Sequence, residues 1–198
     1  MKILIVNNAE PSNNDFVSPI ENILHAPSVD ILLEASVETE TISYSNLVGQ
    51  DLSPYSGVIL SASPGGDDIV ENHLRFYEWI KSYDKPILGI CSGHQIIGRL
   101  YGSELIRETQ QEIGDLEVYI TKDDPIFDGL NKRFTVRQAH NDSITLPTDF
   151  ALLASSDKCE VQVMKHKSKP IYTTQFHVEA LNPEIILNYL DIVKNHKT

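Results

Sequence analysis

Residues Lys85–Leu100 read KPILGICSGHQIIGRL. Pro86 to Ile90 (PILGI) is an apolar run of strand length, and from about Gly93 to Tyr101 the apolar positions take helical spacing. Between the two lies only Gly89-Ile90-Cys91-Ser92-Gly93. A strand that passes into a helix through so sharp a turn holds the residue at the turn in a strained conformation, above the sheet edge. G-x-C-x-G therefore follows the logic of the G-x-S-x-G nucleophile elbow, with small residues two positions away on each side to prevent clashes. The thiol of Cys91 would stand at a helix N-terminus, where the dipole favours the thiolate. Without such a setting a free cysteine is a buried core residue, and Cys159 keeps that reading.

Working outward, the first half alternates strand and helix. Lys2 to Val6 reads as a buried strand, Phe16 to Leu33 as helical material broken near Pro27, Val37 to Tyr44 as a second strand and Gly57 to Ser61 (GVILS) as a third. Ile69 to Tyr83 reads as a helix with Leu74, Trp79 and Ile80 on its apolar face. Such alternation predicts a parallel sheet with helices on both sides. In the second half Leu116 to Thr121, Phe134 to Ala139, Ala151 to Ser155, Val161 to His166 and Ile171 to Gln175 are strand-like and closely spaced, so antiparallel pairing is expected there. A closing helix is predicted from Pro183 to Asn195, with Asn182 as N-cap and Pro183 at the first position. The expected fold is α/β, with a mostly parallel central sheet flanked by helices and added antiparallel strands in the second half.

The 198 residues suit one domain, 1–198, with a single core. A net charge of -12 argues against a nucleic-acid surface. The longest apolar runs are strand-sized, too short for a bilayer, and the short run after Lys2 lacks the length of a signal peptide. The cytoplasm is the expected compartment. Neither Cys91 nor Cys159 has metal-ligand spacing, so no zinc site is expected, and the acidic residues Asp123, Asp124 and Asp128 around Pro125 read as a solvated turn.

A cysteine nucleophile needs a base, and the base needs an orienting partner. Of seven histidines, His25, His73, His166 and His196 lie in polar or helical settings and read as exposed. His177 follows the apolar strand and precedes Glu179 by two residues, so in an extended segment both side chains face one way. For the oxyanion of a tetrahedral intermediate, one donor is the N–H of Ser92. A second belongs in the loop Ser61-Ala62-Ser63-Pro64-Gly65-Gly66, from Ser63 or Gly65. No Lys-Ser/Thr follows this loop, which excludes a phosphate loop.

Gly89-Ile90-Cys91-Ser92-Gly93-His94-Gln95 resembles the G-x-C-x-G-x-Q signature of the class I glutamine amidotransferases, and Gln175-Phe176-His177-Val178-Glu179 resembles their QFHPE motif, with Val178 in place of proline. The resemblance implies that the fold is flavodoxin-like and that Cys91, His177 and Glu179 form the catalytic triad. It implies an oxyanion hole from Ser63 or Gly65 with Ser92, and glutamine contacts from Pro64, Gln95, Asn141 and Asp142. The latter two stand in His140-Asn141-Asp142, which is similar to the family's H-G-D segment, with His140 and His94 structural. No metal or cofactor is implied. The ammonia would go to a partner synthetase subunit.

Cys159 to Glu179 looks most like the stand-alone glutaminase subunit within the GMP synthetase branch, whose partner is of ATP-pyrophosphatase type. Asn7-Asn8-Ala9-Glu10 departs from the D-x-G-x-Q start of that branch, and Ser92 replaces a bulkier residue. Anthranilate synthase, a γ-glutamyl hydrolase without a partner and a non-catalytic binding module are the alternatives.

Overall fold

The structure, a computed structural model, describes residues 1–9, 13–34, 36–64, 70 and 72–196. The first half contains strands β1 (Lys2–Asn7), β2 (Glu38–Ser43), β3 (Gly57–Leu60) and β4 (Ile87–Ile90). Its helices are α1 (Ser18–Leu24), α2 (Pro27–Leu33) and α3 (Ser92–Leu100). Then come β5 (Leu105–Ile106), β6 (Glu112–Ile120), β7 (Arg133–His140), β8 (Ser143–Ile144), β9 (Phe150–Ser155), β10 (Val163–His166) and β11 (Ile171–Thr174). Helices α4 (Val178–Leu181) and α5 (Pro183–Asn195) close the chain.

Among the described residues, nine strands form one sheet in the order β2-β1-β3-β4-β11-β10-β9-β6-β7. From β2 to β11 the neighbours are parallel, and from β11 to β7 they are antiparallel. The fold is thus the expected α/β sheet with antiparallel strands added in the second half. The parallel strands are buried on both faces, which is why they read as unbroken apolar runs. Ile3 and Ile5 of β1 pack with Ile20, Leu24, Leu33, Ile186 and Tyr189 from α1, α2 and α5. Leu4 and Val6 point the other way, toward Ile96 and Ile97 of α3 and toward Tyr77 and Ile80.

The break at Pro27 has a local cause. Ala26 is extended (ψ 132°), as a residue before proline prefers, and Pro27 opens α2 where its missing N–H costs nothing.

Several expectations change. Over 69–83 the described residues include a 3-10 helix, Leu74–Lys81, whose buried residues are Tyr77 and Ile80; Val70 and Asn72 before it are also helical, and Ile69 lies outside the described residues. Leu74 and Trp79 are only half-buried. Asn182 stands at the N-cap of α5, but its side chain makes no cap. Its Nδ2 instead donates to the Thr135 carbonyl at 3.1 Å, tying α5 to β7. His166 is buried, its ring edge-on to Tyr101 and Phe150, and its Nδ1 accepts from the N–H groups of Ser168 and Lys169. A polar sequence neighbourhood misled that reading: Lys165 and Lys167 are both more exposed than the ring between them. Both cysteines are buried and free.

Parallel strands β3, β4 and β11 lie side by side, so the chain leaving their C-terminal ends converges on one place. In an open parallel sheet that edge is where ligands bind.

Candidate active site

Cys91 sits at that edge, between β4 and α3, with φ 50° and ψ -102°. A non-glycine residue rarely adopts such a backbone, which costs about 1–3 kcal/mol and must be held by its surroundings. The Cys91 N–H donates to the Thr174 carbonyl at the end of β11 (2.8 Å), and the Cys91 carbonyl accepts from the Gln95 N–H (3.1 Å). The two glycines of the elbow are required by close approach. A Cβ on Gly93 would lie 2.8 Å from the Leu60 carbonyl oxygen of β3, and one on Gly89 would lie 2.8 Å from the Gly93 carbonyl oxygen.

His177 follows β11 and directly precedes α4. Its N–H donates to the Arg137 carbonyl at 2.9 Å, and its ring packs 5.8 Å from that of Phe16. Nδ1 is 2.7 Å from Glu179 Oε1, which leaves Nε2 as the ring nitrogen able to serve Cys91. The expected contact is present, but not through an extended backbone. His177 is the extended residue (φ -86°, ψ 90°), and Glu179 stands in the first turn of α4. The turn of the chain between them, rather than strand alternation, brings the carboxylate to the ring.

Burial pulls the His177 pKa down, but hydrogen bonds to Cys91 and Glu179 and their negative charges outweigh it, raising the value from 6.5 to about 10. The two partners thus favour the imidazolium form of the ring.

A cavity beside the thiol is lined by Ser63, Pro64, Cys91, Gln95, Ala139, His140 and Asn141. Larger hollows are present too: one of about 360 Å³ is lined by Phe16, Arg137, His177 and Glu179, while one of about 470 Å³ lined by Asp123, Asp124 and Lys132 contains no candidate nucleophile. Those acidic residues behave as a turn: Asp124 accepts from the Ile126 N–H and pairs with Lys165, and Asp123 pairs with Lys132.

The loop that carries Ser63 is anchored from below. Asn8 Nδ2 donates to the Ser61 carbonyl (2.6 Å), Ser61 Oγ accepts from the Asn8 N–H, and Tyr77 donates to Asn8 Oδ1 (2.8 Å). Ser92 Oγ donates to the same Ser61 carbonyl (3.2 Å), linking this loop to the elbow. Gly65 lies outside the described residues.

The remaining candidates separate. Gln95 and Asn141 reach the cavity. Asp142 does not line it: its carboxylate, 1% exposed, is taken by Arg107 Nη1 and the Glu108 N–H, each at 3.0 Å. Only the Asp142 carbonyl turns inward, accepting from Gln95 Nε2 at 2.9 Å.

Sequence reasoning missed Gln175, whose Nε2 lies 3.9 Å from Cys91 Sγ, and Ala139 and His140 as cavity wall. The place of Gln175 two residues before His177 was the available signal. His94 is buried in the core against Thr173. Burial, then the charge of His140, lowers its pKa to about 3.

Comparisons with known proteins place the chain in a family. The profile of the family "Glutamine amidotransferase class-I" matches residues 15–188. The glutamine-hydrolyzing GMP synthase subunit of Methanosphaera stadtmanae is 33% identical, covering 99% of this chain and 100% of the relative. The protein of the same name from Thermoplasma volcanium is 35% identical, covering 84% and 85%. A solved candidate GMP synthase subunit from Thermoplasma acidophilum superposes with a TM-score of 0.79 at 31% identity, covering 98% and 94%. A glutamine amidotransferase from Thermotoga maritima shares the fold (TM-score 0.74, 19% identity, 99% of each chain). The chain belongs to the class I glutamine amidotransferases.

Proposed function

We propose that the chain is one amidotransferase domain, 1–198, that hydrolyses glutamine to glutamate and ammonia with Cys91 as nucleophile, His177 as acid and base, and Glu179 as orienter. The observation that carries the proposal is the backbone-strained Cys91 together with His177, whose pKa Cys91 helps to raise and whose Nδ1 is 2.7 Å from a buried carboxylate.

His177 takes the thiol proton at Nε2. The Cys91 thiolate attacks the amide carbon of glutamine, and the carbonyl oxygen becomes an oxyanion. The Ser92 N–H and an N–H from the Ser63–Gly65 loop receive it. As the C–N bond breaks, His177 gives its proton to the departing nitrogen, and ammonia leaves a γ-glutamyl thioester on Cys91. The thioester carries no charge, so His177 loses one of the two partners that raised its pKa, while burial still opposes the charge. The neutral ring is then fit to take a proton from the attacking water, and glutamate departs as the thiolate reforms. Pro64, Gln95 and Asn141 bound the glutamine, and Asp142 contributes its carbonyl rather than its carboxylate.

The proposed ammonia acceptor is supported by the relatives named as glutamine-hydrolyzing GMP synthase subunits, which cover nearly the full chain. The partner is an ATP-pyrophosphatase subunit that aminates XMP, and the compartment is the cytoplasm. Among the described residues no helix is long and apolar enough to cross a membrane.

Two measurements test the proposal. A glutamine-analogue electrophile should label Cys91 in the wild type and not in His177→Asn. Mixing the chain with an ATP-pyrophosphatase subunit, XMP, ATP and glutamine should yield GMP. Labelling without GMP formation would remove the acceptor and keep the chemistry.

A further inference from the structure

Behind the cavity wall lies a buried polar cluster that the mechanism does not use. Glu112 of β6 and His140 of β7 are direct cross-strand partners, with side chains 3% and 1% exposed. A carboxylate so buried must be supplied with donors. Ser156 Oγ donates to Glu112 Oε1 at 2.7 Å, and Gln162 Nε2 donates to Oε2 at 2.5 Å. His140 Nε2 lies 3.3 Å from the same Oε2.

The His140 ring is oriented from its other side. Nδ1 is 3.1 Å from the Asp142 carbonyl, which only accepts, so Nδ1 carries a proton. The contact between Nε2 and Oε2 then shares one further proton, which makes it a hydrogen bond between the His140 ring and the Glu112 carboxyl group. The Asp142 carbonyl also accepts from Gln95 Nε2. Gln95 Nε2 reaches Gln175 Oε1 at 3.3 Å, and Gln175 Nε2 approaches Cys91 Sγ. One line of polar contacts therefore runs from Glu112 to the nucleophile, and it passes through the segment 139–142 that walls the cavity.

Donor atoms of Glu112, His140 and Cys159 lie within 4.8 Å of one another, a composition that suits zinc. Here, however, both carboxylate oxygens and both ring nitrogens already have partners. The thiol of Cys159, raised to about 12 by burial and then by the charge of Glu112, stays protonated. The cluster is read as a hydrogen-bonded brace.

We propose that Glu112 is a positioning residue for glutamine hydrolysis: through His140 it fixes the Ala139–Asp142 wall and, through the Asp142 carbonyl, the side-chain amide of Gln95. The inference rests on the glutaminase reading above.

The test compares wild type with Glu112→Gln, which keeps the shape and removes the charge, and with Ser156→Ala, which withdraws one donor and serves if Glu112→Gln does not fold. Two reagents are used on Cys91: 6-diazo-5-oxonorleucine, which must be seated like glutamine, and iodoacetamide, which needs only the thiol and its imidazole. A charge-assisted hydrogen bond is worth enough to slow capture of the glutamine analogue about tenfold or more in Glu112→Gln. The KM for glutamine should rise more than kcat falls, and alkylation by iodoacetamide should stay within about threefold. Ser156→Ala should show the same ordering with a smaller change.

Equal loss with both reagents would mean general loosening and would overturn the proposal, as would unchanged capture by the analogue. Stoichiometric zinc in the purified wild type that is lost on Glu112→Gln would replace the brace with a metal site. Failure of the wild type itself to react with the analogue would sink the glutaminase reading and this inference with it.

Discussion

Glu179→Gln tests the proposed role of Glu179 in keeping His177 an acid. The substitution keeps the length and planar end of the side chain and removes its charge. Oε1 is the atom that meets His177 Nδ1 at 2.7 Å, and Oε2 is buried with no hydrogen-bonding partner among the described residues, so the amide loses no other bond. A hydrogen bond to a charged group contributes about 1.5–3 kcal/mol, which corresponds to roughly one to two pH units in the titration of the ring. In the wild type His177 is raised to about 10 by Cys91 and Glu179 against burial; without the Glu179 charge it should fall to roughly 8–9.

The sign on activity follows. The acid that protonates departing ammonia is lost as pH rises through the His177 value, so the alkaline limb of kcat/KM should move toward neutrality in the variant. The sign on stability agrees. A folded value raised above the unfolded 6.5 gives a contribution present in full below about 6.5 and lost as pH rises through about 10. Glutamate release measured from pH 6 to 10.5, with urea unfolding at both ends of the range, reads both effects. An alkaline limb that stays in place, or moves upward, would refute the account of how Glu179 acts.

Other expectations follow from the same geometry. Gly93→Ala puts a methyl 2.8 Å from the Leu60 carbonyl, so overpacking should cost about 1–3 kcal/mol in urea unfolding, offset by up to about 1 kcal/mol of helix propensity. Because α3 must move away from β3, labelling of Cys91 by a glutamine analogue should slow as well. Iodoacetamide near neutral pH, followed by peptide mapping, should modify Cys91 and leave Cys159 unmodified until the protein is unfolded, since Cys159 is fully buried and its thiol is raised to about 12.

The elements that position the site were legible because their signals are local. A buried parallel strand such as β3 or β4 is apolar at every position, and the turn into α3 leaves its mark in two glycines two residues from the cysteine. The closing helix was legible from its opening proline. What escaped depends on partners far along the chain. Strands β5 and β8 have two residues each and exist only because they pair with one another. β6 extends to Glu112 because β7 continues opposite it as far as His140. Nothing around Glu112 announces a buried carboxylate, since the donors that permit its burial come from Gln162 and Ser156, 50 and 44 residues away. Asp142 shows the same limit. Its sequence neighbours suggest a substrate contact, whereas Arg107 and the Glu108 N–H decide where its carboxylate goes.

Val178, where the family motif has proline, gives a further test. It occupies the first position of α4, where a proline is tolerated because that N–H has no intrahelical acceptor. No acceptor for the Val178 N–H is found among the described residues. The preceding His177, with φ -86° and ψ 90°, already lies near the extended range that a following proline imposes. Val178 is fully buried in the cluster with Ile185 and Ile186, and a proline ring fills similar apolar volume. Val178→Pro should therefore leave the His177–Glu179 contact in place and stabilise the fold by about 0.4–1 kcal/mol, chiefly by restricting the unfolded chain. Denaturant midpoints and glutamate release measured together decide the matter. Destabilisation, or a tenfold loss of turnover, would mean that the turn joining the base to its orienter cannot accept proline's fixed φ, and that the departure from the family motif has reshaped it.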